Sequence, residues 1–159
     1  GTRSQGADDR LGSSRDRWRA GFDLTVKTAV LLIEALRSHL EQSGGRVVLL
    51  SSVAALRGSR TGSYGASKAA LRHLTVSMAN EWASWGVRVN VLSPGPFATD
   101  LLTTFESQQP GTLDMLAAGT GQKRVAELHE IVGPVLYLAG DASSFVTGDD
   151  LTVNGGMRK

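Results

Sequence analysis

The sequence has no cysteine, no long hydrophobic run and almost no net charge. Without cysteine it forms neither disulfides nor thiolate metal sites, which is consistent with a reducing cytoplasm. The longest apolar run, TAVLLIEAL at 28–36, contains a glutamate and is too short to span a bilayer. A net charge of +2 gives no reason to expect a nucleic acid or a membrane surface as a partner. We therefore predict a cytoplasmic protein that binds neither.

Two common kinds of active site are also missing from the sequence. No GxSxG segment is present, so a serine-hydrolase triad is poorly supported. The three histidines, His39, His73 and His129, are scattered along the chain, and no His/Asp/Glu cluster has the spacing of metal ligands. We therefore predict no metal site.

The residues that are present are ordinary for one globular domain with a hydrophobic core. The chain has 159 residues, of which 41% are hydrophobic and 20% charged. Residues 1–17 are polar and rich in Gly and Ser, which predicts a flexible arm. The chain does not begin with methionine. We expect residues 18–159 to be part of one domain whose beginning is absent.

Apolar residues from 18 onward alternate between helical periodicity and short continuous runs. These patterns predict helices at about 18–41, 64–85 and 125–139 and buried strands at 46–51, 87–93 and 150–153. Residues 101–124 show neither pattern and contain QQPGT and GTGQ, so we interpret them as a mobile lid. The alternation predicts an α/β fold with a parallel sheet and right-handed crossovers.

The segment SYGASK at 63–68 places Tyr64 and Lys68 four positions apart with only small residues between them. On a helix this spacing puts both side chains on one face, one turn apart. An ammonium beside a phenol favours the phenolate, and such a tyrosine serves as a general acid or base on an alcohol or a carbonyl. A bare YxxxK spacing also arises by chance near a helix N-terminus, so the neighbouring segments decide between the two interpretations.

Those neighbouring segments favour an active site. Ser51 and Ser52 follow the first predicted strand, and the turn SPGPFATD follows the second, at the sheet edge where ligands bind in open parallel sheets. Four segments occur in series: RVVLLSSVAAL, YGASKAALRHLT, GVRVNVLSPGPFATD and SSFVTGDDLTVNGG. In order and spacing they closely resemble the short-chain dehydrogenase/reductase family, over residues 18–156. The resemblance implies a Rossmann-type doubly wound parallel sheet.

The resemblance also implies an activity and its residues. The activity is interconversion of a small-molecule secondary alcohol and a ketone with NAD or NADP, the choice between them staying open. Tyr64 would exchange the proton with the substrate oxygen, while Lys68 would hold the cofactor ribose and favour the phenolate. Ser52 would hydrogen-bond the substrate oxygen, with Ser51 as the alternative because the spacing to Tyr64 is one residue shorter than usual. The cofactor-binding residues would be Tyr64, Lys68 and the segment expected at the nicotinamide amide and the phosphates, which supplies Pro94, Gly95, Phe97 and Thr99.

The family's long helices pack against their symmetry mates, so the resemblance implies a homodimer or homotetramer. Both long helices here carry apolar residues beyond one stripe, which is typical of a helix that buries two faces. These residues are Leu31, Leu32 and Ala35 on the first helix and Leu71, Leu74 and Met78 on the second.

Two departures from the family pattern matter for function. Thr25 occupies the position of an asparagine that supports a proton-relay water, and a hydroxyl cannot reproduce an amide's paired donor and acceptor. The family's Gly-rich phosphate turn is also absent from the sequence, since GTGQK at 119–123 follows no predicted strand. We therefore expect the C-terminal part of the fold, with the N-terminal half missing.

The alternative function is a non-catalytic fragment or assembly module that cannot bind cofactor alone.

Overall fold

The computed structural model describes residues 15–58 and 62–157. Three parallel strands form one sheet in the order β1-β2-β3: β1 (Arg46–Leu50), β2 (Arg88–Pro94) and β3 (Asp150–Val153). The helices are α1 (Arg15–Phe22), α2 (Thr28–Ser43), α3 (Gly62–Trp82), α4 (Asp100–Gln108), α5 (Thr112–Ala118) and α6 (Val132–Ala139). The predicted α/β fold and its parallel sheet are confirmed, and each strand lies within one residue of its predicted position.

The hydrophobic core lies between the sheet and the helices α2 and α3. β2 is the central strand, and its residues from Arg88 to Ser93 are all buried. Its odd-numbered side chains point toward α3, because side chains alternate between the two faces of a strand. They pack with residues of β1, α2 and α3; the cluster contains Ile33, Leu49, Leu71, Met78, Ala79, Trp82, Val87, Val89 and Val91.

Polar side chains on the opposite face of β2 fix the segment between α6 and β3. The buried Arg88 guanidinium donates to the Ser143 hydroxyl and to the Gly140 carbonyl, at 2.8 and 2.9 Å. The Asn90 amide donates to the Val146 carbonyl, and its oxygen accepts from the backbone N–H of Asp149. Buried polar groups are stable only when they are paired, and these pairs place β3 beside β2.

The first predicted helix, at about 18–41, is interrupted in the structure. A π-helical turn, Asp23–Lys27, separates α1 from α2. Its extra residue per turn leaves room for the Thr28 hydroxyl to donate to the Asp23 carbonyl. α1 begins at Arg15, so the end of the predicted arm, 1–17, is helical. The rest of that predicted arm, residues 1–14, lies outside the described residues.

The segment interpreted as a lid, 101–124, contains two helices that were not predicted. Thr99 caps α4, because its hydroxyl oxygen accepts from the backbone N–H of Leu102 at 3.2 Å. α5 is held to α4 by the Glu106 carboxylate, which accepts from the backbone N–H groups of Gly111 and Leu113. The helix predicted from 125 begins later, with a 3-10 turn at Leu128–Ile131 before α6.

Candidate active site

An open cleft of about 530 Å³ lies beside β1, between α3 and the junction of α1 with α2. Most of its wall is apolar. Its lining residues are Gly21, Leu24, Thr25, Thr28, Ala29, Leu32, Val48, Leu49, Leu50, Ser63, Tyr64, Ser67, Lys68 and Leu71. Tyr64, Lys68 and Thr25 therefore meet at one cleft, although Thr25 comes from a different element.

Tyr64 and Lys68 both lie in the first two turns of α3 and share the cleft. The Lys68 ammonium is 5.8 Å from the centroid of the Tyr64 ring. The Tyr64 side chain remains 45% exposed, so its phenol is accessible to a ligand from solvent. The two side chains are therefore neighbours on the wall of the cleft.

The Lys68 ammonium is anchored to the end of β1. It donates to the Leu50 carbonyl at 2.8 Å. Burial lowers the pKa of Lys68 from its ordinary value of 10.5, because a desolvated site disfavours the charged form. An ammonium has three donors, so the bond to Leu50 leaves others for a ligand in the cleft.

The two serines after β1 occupy different environments. Ser51 is 3% exposed, and its hydroxyl donates to the Lys68 carbonyl at 2.9 Å. Ser52 is half-buried and caps the following 3-10 turn, its hydroxyl oxygen accepting from the backbone N–H of Ala54 at 3.2 Å. Because the Ser52 hydroxyl oxygen accepts from Ala54, its proton points away from that N–H group. The Ser51 proton, in contrast, is already donated to the Lys68 carbonyl.

Thr25 is placed by the π-helical turn on the wall of the cleft. It is half-buried and lines the same wall as Leu24 and Thr28. π-helical turns are rare and often occur at functional sites. The sequence gives no sign of the turn, because Asp23–Lys27 has the composition of an ordinary helix.

Four of the residues predicted to meet the cofactor lie at or just after the end of β2, the strand beside β1. Pro94 ends β2, and the Gly95 N–H donates to the Val153 carbonyl at 2.9 Å. A Cβ at Gly95 would lie 2.9 Å from the Asn154 backbone, so this turn requires glycine. Phe97 is buried and lines a separate cavity of about 150 Å³, while Thr99 caps α4. This segment is therefore at the same sheet edge as the Tyr64 cleft but does not line it.

Two features of the cleft were not predicted from the sequence. One is the Leu50 carbonyl, a backbone acceptor that no side-chain pattern reveals. The other is Ser67, which is fully buried and donates its hydroxyl to the Tyr64 carbonyl at 2.9 Å. Its position three residues after Tyr64 could have indicated this, since serine hydroxyls commonly bond to carbonyls one turn earlier.

Among residues 15–58 and 62–157, no three His, Asp or Glu side chains are grouped as a metal site. No helix in this part of the chain is long and apolar enough to cross a membrane.

Comparison with known proteins supports the assignment that the segments indicate. The model of the family described as enoyl-(acyl carrier protein) reductase matches residues 3–158. Protein FixR of Bradyrhizobium diazoefficiens is 34% identical over 152 residues, covering 92% of this chain and 51% of its own length. The 3-oxoacyl-[acyl-carrier-protein] reductase FabG of Salmonella typhimurium is 34% identical over 145 residues, covering 89% of this chain and 58% of its own.

A solved structure gives the same result. The gluconate 5-dehydrogenase of Burkholderia cenocepacia, crystallised with NADP and tartrate, superposes with a TM-score of 0.85 at 29% identity. The superposition covers 91% of this chain and 57% of that one. The chain belongs to the short-chain dehydrogenase/reductase family and has its Rossmann-like fold. It spans between half and three-fifths of the length of these relatives.

Proposed function

We propose that the full gene product is a nicotinamide-dependent oxidoreductase that interconverts a secondary alcohol and a ketone, with Tyr64 as general acid and base. The observation that carries the proposal is the Lys68 ammonium, 5.8 Å from the Tyr64 ring in a largely apolar cleft. Membership of an oxidoreductase family supports it. The FabG relative is named as a 3-oxoacyl-[acyl-carrier-protein] reductase and the Burkholderia protein as a gluconate 5-dehydrogenase.

A bound nicotinamide supplies the hydride in reduction and accepts it in oxidation. In reduction, the Tyr64 phenol donates its proton to the carbonyl oxygen as the carbonyl carbon gains the hydride, so the C=O bond becomes an alcohol. Lys68 stabilises the phenolate that remains, and water returns the proton to Tyr64. In oxidation the phenolate removes the alcohol proton. General acid–base catalysis of this type contributes typically about 10²- to 10⁴-fold.

The described residues suit the nicotinamide end of the cofactor. Lys68 has donors for the ribose hydroxyls, and Ser52 lies at the end of β1, where its hydroxyl would bond the substrate oxygen. The segment that contains Pro94, Gly95, Phe97 and Thr99 would meet the nicotinamide amide and the phosphates. The family's glycine-rich phosphate turn has no counterpart in the sequence.

The experiment follows the hydride. The full gene product is incubated with deuteride-labelled NADH or NADPH and a panel of ketones that includes a 3-oxoacyl thioester and an oxidised gluconate. We expect one ketone to be reduced with the label on its new alcohol carbon. Consumption of cofactor without label in any product, or no consumption across the panel, would contradict the proposal.

A second candidate is a module that cannot bind cofactor without further polypeptide. The observation that favours it is the outer edge of β1, which pairs with no strand among the described residues. Unpaired strand edges invite pairing or aggregation. Calorimetric titration of residues 1–159 with NADH and NADPH tests this second candidate. The module predicts no binding at micromolar concentrations, and a micromolar dissociation constant would exclude it.

A further inference from the structure

Two hydrogen bonds run in opposite directions between the end of β1 and helix α3. The Ser51 hydroxyl donates to the backbone carbonyl of Lys68 at 2.9 Å. The Lys68 ammonium donates back to the carbonyl of Leu50 at 2.8 Å. Since Leu50 and Ser51 are adjacent, the main chain of Lys68 and its ammonium are both held by one dipeptide at the end of β1. We call this pair of bonds the β1–α3 clasp.

The Ser51 hydroxyl is positioned to bond the Lys68 carbonyl and is shielded from solvent. Ser51 is 3% exposed, so its hydroxyl cannot exchange the Lys68 carbonyl for bulk water. A buried hydroxyl without a partner is costly, which favours the bonded geometry. Fixing the Lys68 main chain fixes the point from which its flexible side chain starts. Without the hydroxyl, the bond from the ammonium to the Leu50 carbonyl would be the one that remains of these two hydrogen bonds.

Ser93 shows that the hydroxyl bond is not a general requirement of this layer. Ser51 and Ser93 directly follow Leu50 and Leu92, which are paired in register between β1 and β2. Ser93 is also fully buried, yet its hydroxyl has no hydrogen-bond partner among the described residues. The two serines are therefore alike in residue type, strand position and burial, and they differ in the bond to α3.

We infer that Ser51 is a positioning residue: its hydroxyl holds the Lys68 main chain against β1, so that the ammonium stays on the Leu50 carbonyl and beside Tyr64. The inference rests on the proposed function for its catalytic consequence. It also assigns different roles to Ser51 and Ser52. Ser51 bonds to the helix that carries Tyr64 and Lys68, which leaves Ser52 as the serine available to the substrate oxygen.

The test compares Ser51→Ala with Ser93→Ala in the full gene product. The readout is the titration of the Lys68 ammonium, followed by NMR with labelled lysine and assigned with a Lys68→Met variant. Burial lowers the pKa of Lys68. We expect Ser51→Ala to release the lysine toward solvent and raise that pKa toward the ordinary 10.5, while Ser93→Ala leaves it unchanged. A Lys68 titration in Ser51→Ala that matches the parent protein would overturn the inference.

Two further variants separate positioning from loss of folding. Ser51→Thr keeps a hydroxyl, and we expect it to return the Lys68 titration toward that of the parent protein. Ser51→Cys keeps a side chain that fills the site but offers only a weak donor, so it should show the shift even if Ser51→Ala fails to fold. A parent-like titration in the cysteine variant would overturn the inference in that case.

Turnover gives a separate readout. Displacement of positioning groups costs up to about 10²-fold, so we expect kcat of Ser51→Ala to fall by about 10- to 100-fold with little change in KM. If the parent protein shows no turnover, the proposed function fails, but the Lys68 titration still decides whether Ser51 holds the lysine. A fall in kcat that Ser93→Ala reproduces would show that loss of any buried hydroxyl here has the same effect, and would contradict the specific role of Ser51.

Discussion

At the scale of a single residue, Lys68 contacts the end of β1, belongs to α3 and lines the cleft. Its main chain accepts from Ser51, its ammonium donates to Leu50, and the same ammonium lies beside the Tyr64 ring. The cleft around it is mostly apolar, which is why burial lowers its pKa. A partly desolvated ammonium is poorly compensated by water, so it attracts a nearby negative charge more strongly than an exposed ammonium does.

The lowered pKa of Lys68 predicts a pH dependence of stability. The folded chain binds this proton less tightly than the unfolded chain, so the free energy of unfolding contributed by Lys68 rises as pH increases through the folded-state pKa toward 10.5. Lys68→Met should remove that rise. Chemical denaturation across neutral and alkaline pH measures it, with Lys27→Met on the exposed part of the π-helical turn as control. An unchanged slope in Lys68→Met would show that the lysine titrates alike in both states.

The sequence predicts the cleft residues whose side chains are related by helical spacing. The spacing of Tyr64 and Lys68 predicted their common face, because α-helical geometry fixes it. The clasp was not predictable, since the Leu50 carbonyl is a backbone group and the Ser51 bond depends on how closely α3 approaches β1. Thr25 could be placed near the cleft by resemblance alone, because the π-helical turn that presents it leaves no mark in the sequence.

At the scale of elements, the strands were predicted well and the helices of 100–139 poorly. Short apolar runs bounded by turns define the buried strands. The sequence does contain a signal for α4 that hydrophobic periodicity alone does not use. This signal is the capping residue Thr99, which is followed by the apolar residues Leu101, Leu102 and Phe105. The helix predicted from 125 begins late because Ala126 pairs with Phe97 in an isolated bridge, a tertiary contact that competes with helix formation.

The 3-10 turn before α6 is capped by Glu130, and this predicts that its stability depends on acid pH. Its two carboxylate oxygens each accept from the Arg124 guanidinium at 2.6 Å, and one also accepts from the Glu127 N–H. The hydrogen bonds from Arg124 are the main reason that the pKa of Glu130 is lowered from 4.5 to about 2.

The lowered pKa sets the sign of the effect. The stability from Glu130 is fully present above pH 4.5 and is lost as pH falls toward about 2. Glu130→Gln should therefore lower the free energy of unfolding at neutral pH, and the difference from the parent chain should shrink on acidification. Denaturation at a series of pH values checks this, with the exposed Glu81→Gln as control. A difference that is constant from neutral pH to pH 2 would mean that the charge of Glu130 does not matter.

At the scale of the whole molecule, α2 presents an apolar face that the described residues leave uncovered. Leu31 and Leu32 are each 59% exposed and Leu36 is 43% exposed. The corresponding prediction for α3 is wrong for Leu71 and Met78, which lie in the core because they face the sheet. Leu74 also packs against that core. The second apolar stripe therefore belongs to α2, and we propose that it forms a contact between copies of the chain.

This proposal predicts a homo-oligomer whose assembly depends on α2. We expect the full gene product to sediment as a dimer or tetramer at micromolar concentration. Leu31→Glu should shift it toward monomer, because the substitution places a charge in an apolar contact. Met115→Glu on α5, where the methionine is 65% exposed, is the matched control. A clean monomer for the parent protein, or equal dissociation by both variants, would refute the α2 contact.

The central claim, that Tyr64 transfers the proton, is tested most directly by removing one oxygen atom. The chain has two tyrosines, and the other, Tyr137, lies on α6 and is 40% exposed. Steady-state turnover of Tyr64→Phe and Tyr137→Phe is compared in the full gene product. Tyr64→Phe should lose at least about 10²-fold in kcat with an unchanged fold, while Tyr137→Phe keeps the parent rate. Turnover of Tyr64→Phe above about a hundredth of the parent rate would contradict general acid–base catalysis by this residue.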